Sequence, residues 1–157
     1  MEFSDFVCFE AIIAELQSSS RNEVISELVS SLDKAGVLGK GNSKKIAKVV
    51  IKRENEASTG MGKGIALPHV KDKLVKEVCA AIGLSSRGID FSSLDKQPVY
   101  SVILLLSPAD DPDKHLQAME TIFKNLQNEK FRKFLRQSQT REQIEELLRE
   151  VDEEPFS

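Results

Sequence analysis

The residues best suited to chemistry lie in the segment 58–69, which reads STGMGKGIALPH. Three glycines alternate within it, at Gly60, Gly62 and Gly64. Glycine permits tight turns and exposes amide N–H groups to an anion, and Pro68 restrains the backbone beside His69. An anion-binding loop that leads to a fixed imidazole predicts a protein that accepts a phosphoryl group and passes it on. The alternative is a glycine-rich surface loop with a structural histidine.

His69 is the candidate nucleophile. Free histidine has a pKa of about 6.5, so that a neutral imidazole is an effective nucleophile near pH 7. Its attack on a phosphoryl donor gives a phosphoramidate, whose P–N bond transfers readily to a second acceptor. A lone histidine can equally be a buried, hydrogen-bonded structural residue.

Four further side chains could contact the same phosphoryl group. His115 follows the Asp111-Pro112 pair, which has the form of a helix start, and a helix N-terminus favours anions. Arg53 could hold phosphoryl oxygens in a bidentate manner. Ser58 and Thr59 could donate their hydroxyls or merely shape the turn. Each also has an ordinary explanation, as an exposed helical histidine, a surface arginine or turn residues.

Two common nucleotide-binding motifs do not fit the glycine-rich segment. A Walker loop would need glycine at the position of Ala57 and serine or threonine at the position of Gly64. A dinucleotide fingerprint needs the spacing G-x-G-x-x-G between a strand and a helix, whereas this segment has G-x-G-x-G after a helical pattern. An ATP-binding domain therefore stays only as a minor alternative.

Composition narrows the classes of partner. The chain has 157 residues, 22 basic and 25 acidic, with a net charge of −3, which argues against nucleic-acid binding. The two cysteines, Cys8 and Cys79, form no C-x-x-C pair, and with two histidines they predict neither a metal site nor a cofactor. Cys79 is expected in the core, and the sparse cysteine content fits the cytoplasm.

Neither a signal peptide nor a membrane span is predicted. Acidic residues stand in the N-terminal segment where a signal peptide has positive charge. The longest apolar run, Val99–Leu106, has eight residues, whereas a span needs about 20. We therefore expect a cytoplasmic protein without membrane insertion.

Helical periodicity dominates both ends of the chain. Asn22 is expected to cap a helix that runs to about Ala35, and Ser43 to cap a second helix that ends near Asn55. Asp111 opens a third helix with an apolar stripe formed by Leu116, Met119, Phe123 and Leu126. A short helix is expected over 129–136. Thr140 caps a last helix with a buried face formed by Ile144, Leu147, Leu148 and Val151, and the tail after Asp152 is expected to fray.

The middle of the chain predicts strands. Val78, Ala80, Ile82 and Leu84 alternate with smaller residues, which predicts a half-buried strand, and Val99–Leu106 predicts a central strand buried on both faces. Helices, then strands, then helices indicate one α/β or α+β domain over residues 1–157, with a strand-rich centre covered by helices on both sides.

Several motifs occur in an order that resembles a known family. They are R-E at 53–54, S-T-G at 58–60, G-I-A-L-P-H at 64–69, S-R-G-I-D-F at 86–91 and H-L at 115–116. The chain is similar over nearly its whole length to IIA proteins of the bacterial phosphoenolpyruvate-dependent phosphotransferase system, in the fructose, mannitol and nitrogen-regulatory class. Leu67 replaces a more usual isoleucine.

The resemblance implies a mixed β-sheet between helices and a phosphohistidine at His69, with Arg53 and His115 flanking it and the ε nitrogen as the phosphorylated atom. It implies a small histidine phosphocarrier as donor, and a IIB domain or regulatory target proteins downstream. A chain of this length leaves no room for a IIB or membrane domain, which favours the nitrogen-type regulator over a sugar-uptake component. A binding module that has lost onward transfer is a further alternative.

Overall fold

The computed structural model describes residues 1–155. Its helices are α1 (Phe3–Phe6), α2 (Arg21–Lys34), α3 (Ser43–Glu56), α4 (Pro112–Leu126), α5 (Glu129–Gln137) and α6 (Arg141–Glu153), with a 3₁₀ turn at Phe9–Ala11. Its strands are β1 (Gly60–Gly62), β2 (Ile65–Ala66), β3 (His69–Asp72), β4 (Cys79–Ile89) and β5 (Val99–Pro108). Helix α6 continues past the expected end at Asp152, and residues 156 and 157 of the expected frayed tail lie outside the described residues.

Strand β5 is the centre of a mixed sheet. It pairs antiparallel with β4 along one edge and parallel with both β2 and β3 along the other. Strand β1 folds back on β2 as an antiparallel hairpin. The prediction that Val99–Leu106 is buried on both faces is confirmed, since only Tyr100 within β5 is more than slightly exposed. The expected helix–sheet–helix arrangement is also confirmed.

Two apolar cores lie on opposite faces of the sheet. Helices α2 and α3 cover one face through residues such as Leu28 and Ile46, together with the buried Cys79 that the sequence predicts in the core. Helices α1 and α4–α6 cover the other face through residues such as Phe131 and Leu148. Each face of the sheet therefore has its own helical layer. None of the helices among residues 1–155 has the length and apolar character of a membrane span.

The strand predicted from Val78, Ala80, Ile82 and Leu84 forms as β4, but the expectation that it is half-buried is wrong. Strand β4 is buried on both faces from Cys79 to Ser85. Its small residues face helix α2 and the chain before it rather than solvent, and a Cβ atom on Gly83 would lie within 3.0 Å of the Leu16 side chain. In β4, small residues at alternate positions therefore indicate close packing against neighbouring elements and not exposure to solvent.

The helix starts agree with the sequence in part. Asp111 and Thr140 cap α4 and α6 as predicted, each accepting a bond from the backbone three residues on. Helix α2 begins earlier than expected, because Ser20 rather than Asn22 is the cap and its side chain accepts from the Glu23 amide. For α3 the cap is Asn42, one residue before the predicted Ser43.

The predicted apolar stripe of α4 is the buried one only in part, since Leu126 is buried and Met119 packs against the core but Leu116 and Phe123 do not. The residues that α4 buries are Ala118, Ile122, Asn125 and Leu126. Leu116 is 58% exposed and Phe123 is 37% exposed. The helix is rotated so that the small Ala118 packs against the sheet, and Leu116 and Phe123 remain accessible on the helix that carries His115.

The N-terminal helix α1, absent from the sequence prediction, packs against α6. The Asp152 carboxylate accepts hydrogen bonds from the Phe3 and Ser4 amides at 2.8 and 2.9 Å. The Phe3 ring stacks on Phe131 with centroids 5.8 Å apart. A carboxylate at a helix N-terminus satisfies amides that have no partner within the helix.

Candidate active site

The glycine-rich segment forms the β1–β2 hairpin, which differs from the expected anion-binding loop. Lys63 and Gly64 both have positive φ angles, 58° and 78°, as a tight two-residue turn requires. Two amides of this segment are already bonded: Lys63 donates to the Asp95 carboxylate at 3.1 Å and Gly60 to the Ser58 hydroxyl at 3.0 Å. The hairpin is therefore a support that leads into the histidine strand.

His69 is held at the start of β3 by the backbone just before it. It pairs with Leu105 of β5, and its Nδ1 lies 2.7 Å from the Leu67 carbonyl oxygen. A carbonyl oxygen only accepts, so Nδ1 carries the proton and donates. The lone pair of the half-buried imidazole is therefore at Nε2.

His115 lies on the first turns of α4, beside His69. The two ring centroids are 5.9 Å apart and the rings are tilted by 35°. The Nδ1 atom of His115 lies 2.6 Å from the Oγ atom of Ser107, which is fully buried on β5. The pKa of His115 is lowered from its ordinary value, chiefly by burial and then by the charges of His69 and Lys71, which favours the neutral ring at pH 7.

Arg53 lies in the last turn of α3, where its guanidinium donates to the Ala57 carbonyl at 2.9 Å. Within residues 1–155 it makes no hydrogen bond with His69 or His115. The Ser58 hydroxyl donates to the Phe91 carbonyl. The structure thus brings the two histidines together, and it gives Arg53 and Ser58 partners on the backbone around the hairpin.

Thr59 is fixed by a residue that sequence reasoning did not single out as functional. Its amide donates to one Glu54 carboxylate oxygen at 2.6 Å and its hydroxyl to the other at 2.7 Å. Glu54 is only 1% exposed. Glu54 lies four residues after Val50 and eight after Ile46, so it shares the buried face of α3 with them. A carboxylate on a buried face needs a hydrogen-bond partner, and this spacing is the signal that could have identified Glu54 from the sequence.

Two more residues near the histidines were missed. Lys71 is two positions after His69 on β3 and pairs with Ser107 on β5. Ser107 stands at the end of the buried strand, where a hydroxyl signals a hydrogen bond to another element. Within residues 1–155 no three His, Cys, Asp or Glu side chains come together in a way that could hold a metal ion.

Comparison with known proteins identifies the family. Residues 6–151 match the family described as "Phosphoenolpyruvate-dependent sugar phosphotransferase system, EIIA 2". The chain therefore belongs to this family of IIA components of the phosphotransferase system. It is 33% identical over 148 residues to a nitrogen regulatory protein of Bradyrhizobium diazoefficiens, covering 94% of this chain and 95% of that protein.

A second relative is far longer than this chain. The fructose-specific EIIABC component of Bacillus subtilis is 32% identical over 152 residues, and the match covers 97% of this chain. The chain spans only 24% of that relative's length.

Solved structures support the same fold. The nitrogen regulatory protein IIA-Ntr from Neisseria meningitidis superposes with a TM-score of 0.82 at 21% identity, covering 93% of this chain and 98% of that one. The mannitol IIA enzyme of Escherichia coli, solved in complex with its phosphorylated IIB enzyme, superposes with a TM-score of 0.75 at 19% identity over 90% of this chain and 95% of that one.

Proposed function

We propose that residues 1–157 form one phosphoryl-carrier domain in which His69 accepts a phosphoryl group through Nε2. The observation that carries the proposal is the bond of His69 Nδ1 with the Leu67 carbonyl, which leaves the lone pair on the other nitrogen. Attack by that lone pair forms an N–P bond as the bond between phosphorus and the donor breaks, and the donor nitrogen keeps the electron pair. The Leu67 carbonyl stabilises the positive charge that develops on the ring.

The neighbouring groups suit a phosphoryl acceptor. His115 is close enough to contact phosphoryl oxygens on His69, with ring centroids 5.9 Å apart. Rotation of the Arg53 side chain away from Ala57 would supply a guanidinium for the same oxygens. Contacts from Ser58 and Thr59 would require them to exchange their present bonds, so their part in the proposal is to hold the hairpin.

The proposed donor is a small histidine phosphocarrier protein, and the proposed acceptor is a IIB partner or a regulatory target. Two exposed apolar side chains, Leu116 and Phe123, lie on either side of the half-buried Met119 along the helix that carries His115, and they support docking of a protein rather than a free metabolite. Such partners would meet the domain in the cytoplasm.

The nitrogen-type regulator is the preferred role within this proposal. The Bradyrhizobium nitrogen regulatory protein matches over 95% of its own length. Sugar uptake is the second candidate, because the match to the fructose-specific relative extends over 97% of this chain.

Incubation with phosphoenolpyruvate, the first enzyme of the system and a histidine phosphocarrier tests the proposal. We expect one phosphate per chain that is labile in acid and stable in base. His69→Ala is expected to abolish it, whereas His115→Ala, the matched imidazole control, is expected to be labelled more slowly. Labelling of His69→Ala at the normal rate refutes the assignment.

Adding a purified IIB domain to the phosphorylated protein separates the two roles. Rapid loss of the label supports sugar uptake. A retained label, together with a target that binds only one phosphorylation state, supports regulation. Binding of a target regardless of phosphorylation state, without transfer, would favour the interaction module.

A further inference from the structure

We propose that Ser107 is a positioning residue whose hydroxyl donates a hydrogen bond to His115 Nδ1 and thereby keeps the single proton of the neutral ring on Nε2, available to the phosphoryl site. The inference rests on the proposed function of His69. It assigns to the serine at the end of β5 the task of orienting the second imidazole and fixing its tautomer.

The first step is the geometry of the contact. Ser107 Oγ lies 2.6 Å from His115 Nδ1, well within hydrogen-bond distance. Ser107 is 0% exposed, so water does not compete for its hydroxyl. The serine is on the central strand and the histidine on helix α4, so this bond ties the ring to the sheet.

The second step is the direction of the bond. A serine hydroxyl can donate or accept, and a neutral imidazole has one nitrogen of each kind. Within residues 1–155 the Ser107 hydroxyl has no other acceptor. If Nδ1–H donated to Ser107 Oγ, the hydroxyl proton of Ser107 would therefore be buried without a partner. Burying an unpaired O–H is costly, so the hydroxyl donates and Nδ1 accepts.

The third step is the charge state of the ring. Nδ1 can accept only if the imidazole is neutral. The partial burial of His115 and the positive charge of Lys71 on β3 both favour the neutral form. The single remaining ring proton is then on Nε2, on the far side of the ring from Ser107.

The two histidines consequently have opposite tautomers. His69 donates through Nδ1 to the Leu67 carbonyl and keeps a lone pair on Nε2. His115 accepts at Nδ1 from Ser107 and keeps a proton on Nε2. The His115 ring centroid lies 5.9 Å from that of His69, and its Nε2–H can donate to an oxygen of a phosphoryl group carried on His69. No proton changes place in this step.

Long-range ¹H–¹⁵N correlation spectra of the ¹⁵N-labelled, unphosphorylated protein at neutral pH test the tautomers directly. We expect a protonated Nε2 and an unprotonated, hydrogen-bonded Nδ1 in His115, and the reverse protonation in His69. A protonated Nδ1 in His115 overturns the inference. The spectrum needs no variant and no phosphoryl transfer, so it separates failure of this inference from failure of the phosphocarrier proposal.

Substitution at Ser107 tests the consequence for transfer. In Ser107→Ala we expect a shifted His115 Nδ1 resonance and roughly tenfold slower phosphorylation of His69, the effect of losing one orienting hydrogen bond. Ser107→Thr, which keeps the hydroxyl, is expected to restore both. Normal rates in a folded Ser107→Ala, or equally slow transfer in a folded Ser107→Thr, contradict the inference.

Ser101 provides the matched control. It is 1% exposed, lies on the same strand and is separated from Ser107 by an even number of residues, so it faces the same side of the sheet. Ser101→Ala removes a buried hydroxyl without touching His115. We expect it to leave the His115 resonances and the transfer rate unchanged, and slowing equal to that of Ser107→Ala would contradict a specific role.

Discussion

Glu54 accepts two hydrogen bonds from Thr59, one from the amide at 2.6 Å and one from the hydroxyl at 2.7 Å. The last turn of α3 and the first residue before the β1–β2 hairpin are thus joined through a single buried carboxylate. The hairpin leads within a few residues to His69, so that this pair fixes where the histidine strand begins.

Replacing Glu54 by alanine is expected to destabilise the fold by about 2 kcal/mol, because two bonds to a charged acceptor are lost and the Thr59 amide is left unpaired. Glu54→Gln keeps one acceptor oxygen and is expected to cost less. Urea unfolding followed by circular dichroism measures both changes. Glu56→Ala, an exposed position on the same helix, is the control, and equal losses at Glu54 and Glu56 would contradict the role of the bonds.

Lowering the pH is expected to charge His115 only below the ordinary histidine value of 6.5, since burial, His69 and Lys71 all lower its pKa. In this range the unfolded chain binds more protons at His115 than the folded chain does. The stability contributed by the neutral ring is therefore complete above the unfolded pKa and is lost as the pH falls below it. An NMR titration of the ring protons measures the midpoint.

Removing the positive charge of Lys71 tests one cause of that shift. Lys71→Gln is expected to raise the pKa of His115, because a like charge near the ring is gone. Lys73→Gln, which removes an exposed lysine after β3, is the control for net charge. A midpoint that responds equally to both substitutions would rule out a local effect of Lys71.

Gly60→Ala is expected to destabilise the protein by about 2 kcal/mol through overpacking. A Cβ atom there would lie 2.9 Å from the Ser93 Cα atom, a backbone atom that cannot move aside cheaply. Ser93→Ala, in contrast, is expected to be neutral or stabilising, because the buried Ser93 hydroxyl has no hydrogen-bond partner within residues 1–155. Urea unfolding of both variants checks the two signs, and a Gly60→Ala protein of normal stability would refute the close contact.

The two cysteines are expected to differ sharply in reactivity. Burial is the main reason that the pKa of the Cys79 thiol is raised to about 12, and the nearby Cys8 and Glu77 also raise it. Almost no Cys79 thiolate therefore exists at pH 8. Cys8 is partly exposed. A thiol reagent such as DTNB should label Cys8 first in the folded protein and Cys79 only after unfolding in urea. Cys8→Ser should abolish the fast phase, and a fast phase that survives in that variant would contradict the prediction.

The sequence predicted those parts of the fold in which local pattern and tertiary packing agree. Strand β5 was evident because its apolar run is buried on both faces, and α4 because Asp111 and Pro112 mark its start. The buried face of α4 was predicted only in part, since Leu126 is buried as expected but Leu116 and Phe123 face outward while Ala118 and Ile122 pack inward. Periodicity locates an apolar face but does not say which of two neighbouring faces the sheet will cover.

The geometry of the candidate site followed from the sequence only in part. His69 and His115 were identified from their motifs, and the structure brings their rings together. Glu54 and Ser107 were not singled out, because their importance depends on partners supplied by other elements of the fold. The hairpin shape of the glycine-rich segment was not predictable for the same reason, since Asp95, more than 30 residues away, bonds the Lys63 amide.

The bonds from Asp152 to the Phe3 and Ser4 amides have a consequence for how this domain can be combined with others. Because α1 and α6 meet, a polypeptide could enter and leave the domain at neighbouring points on its surface. Such a unit can be inserted into, or appended to, a larger chain with little distortion of either part. The same adjacency makes the domain suited to circular permutation, with a short linker joining the two terminal helices.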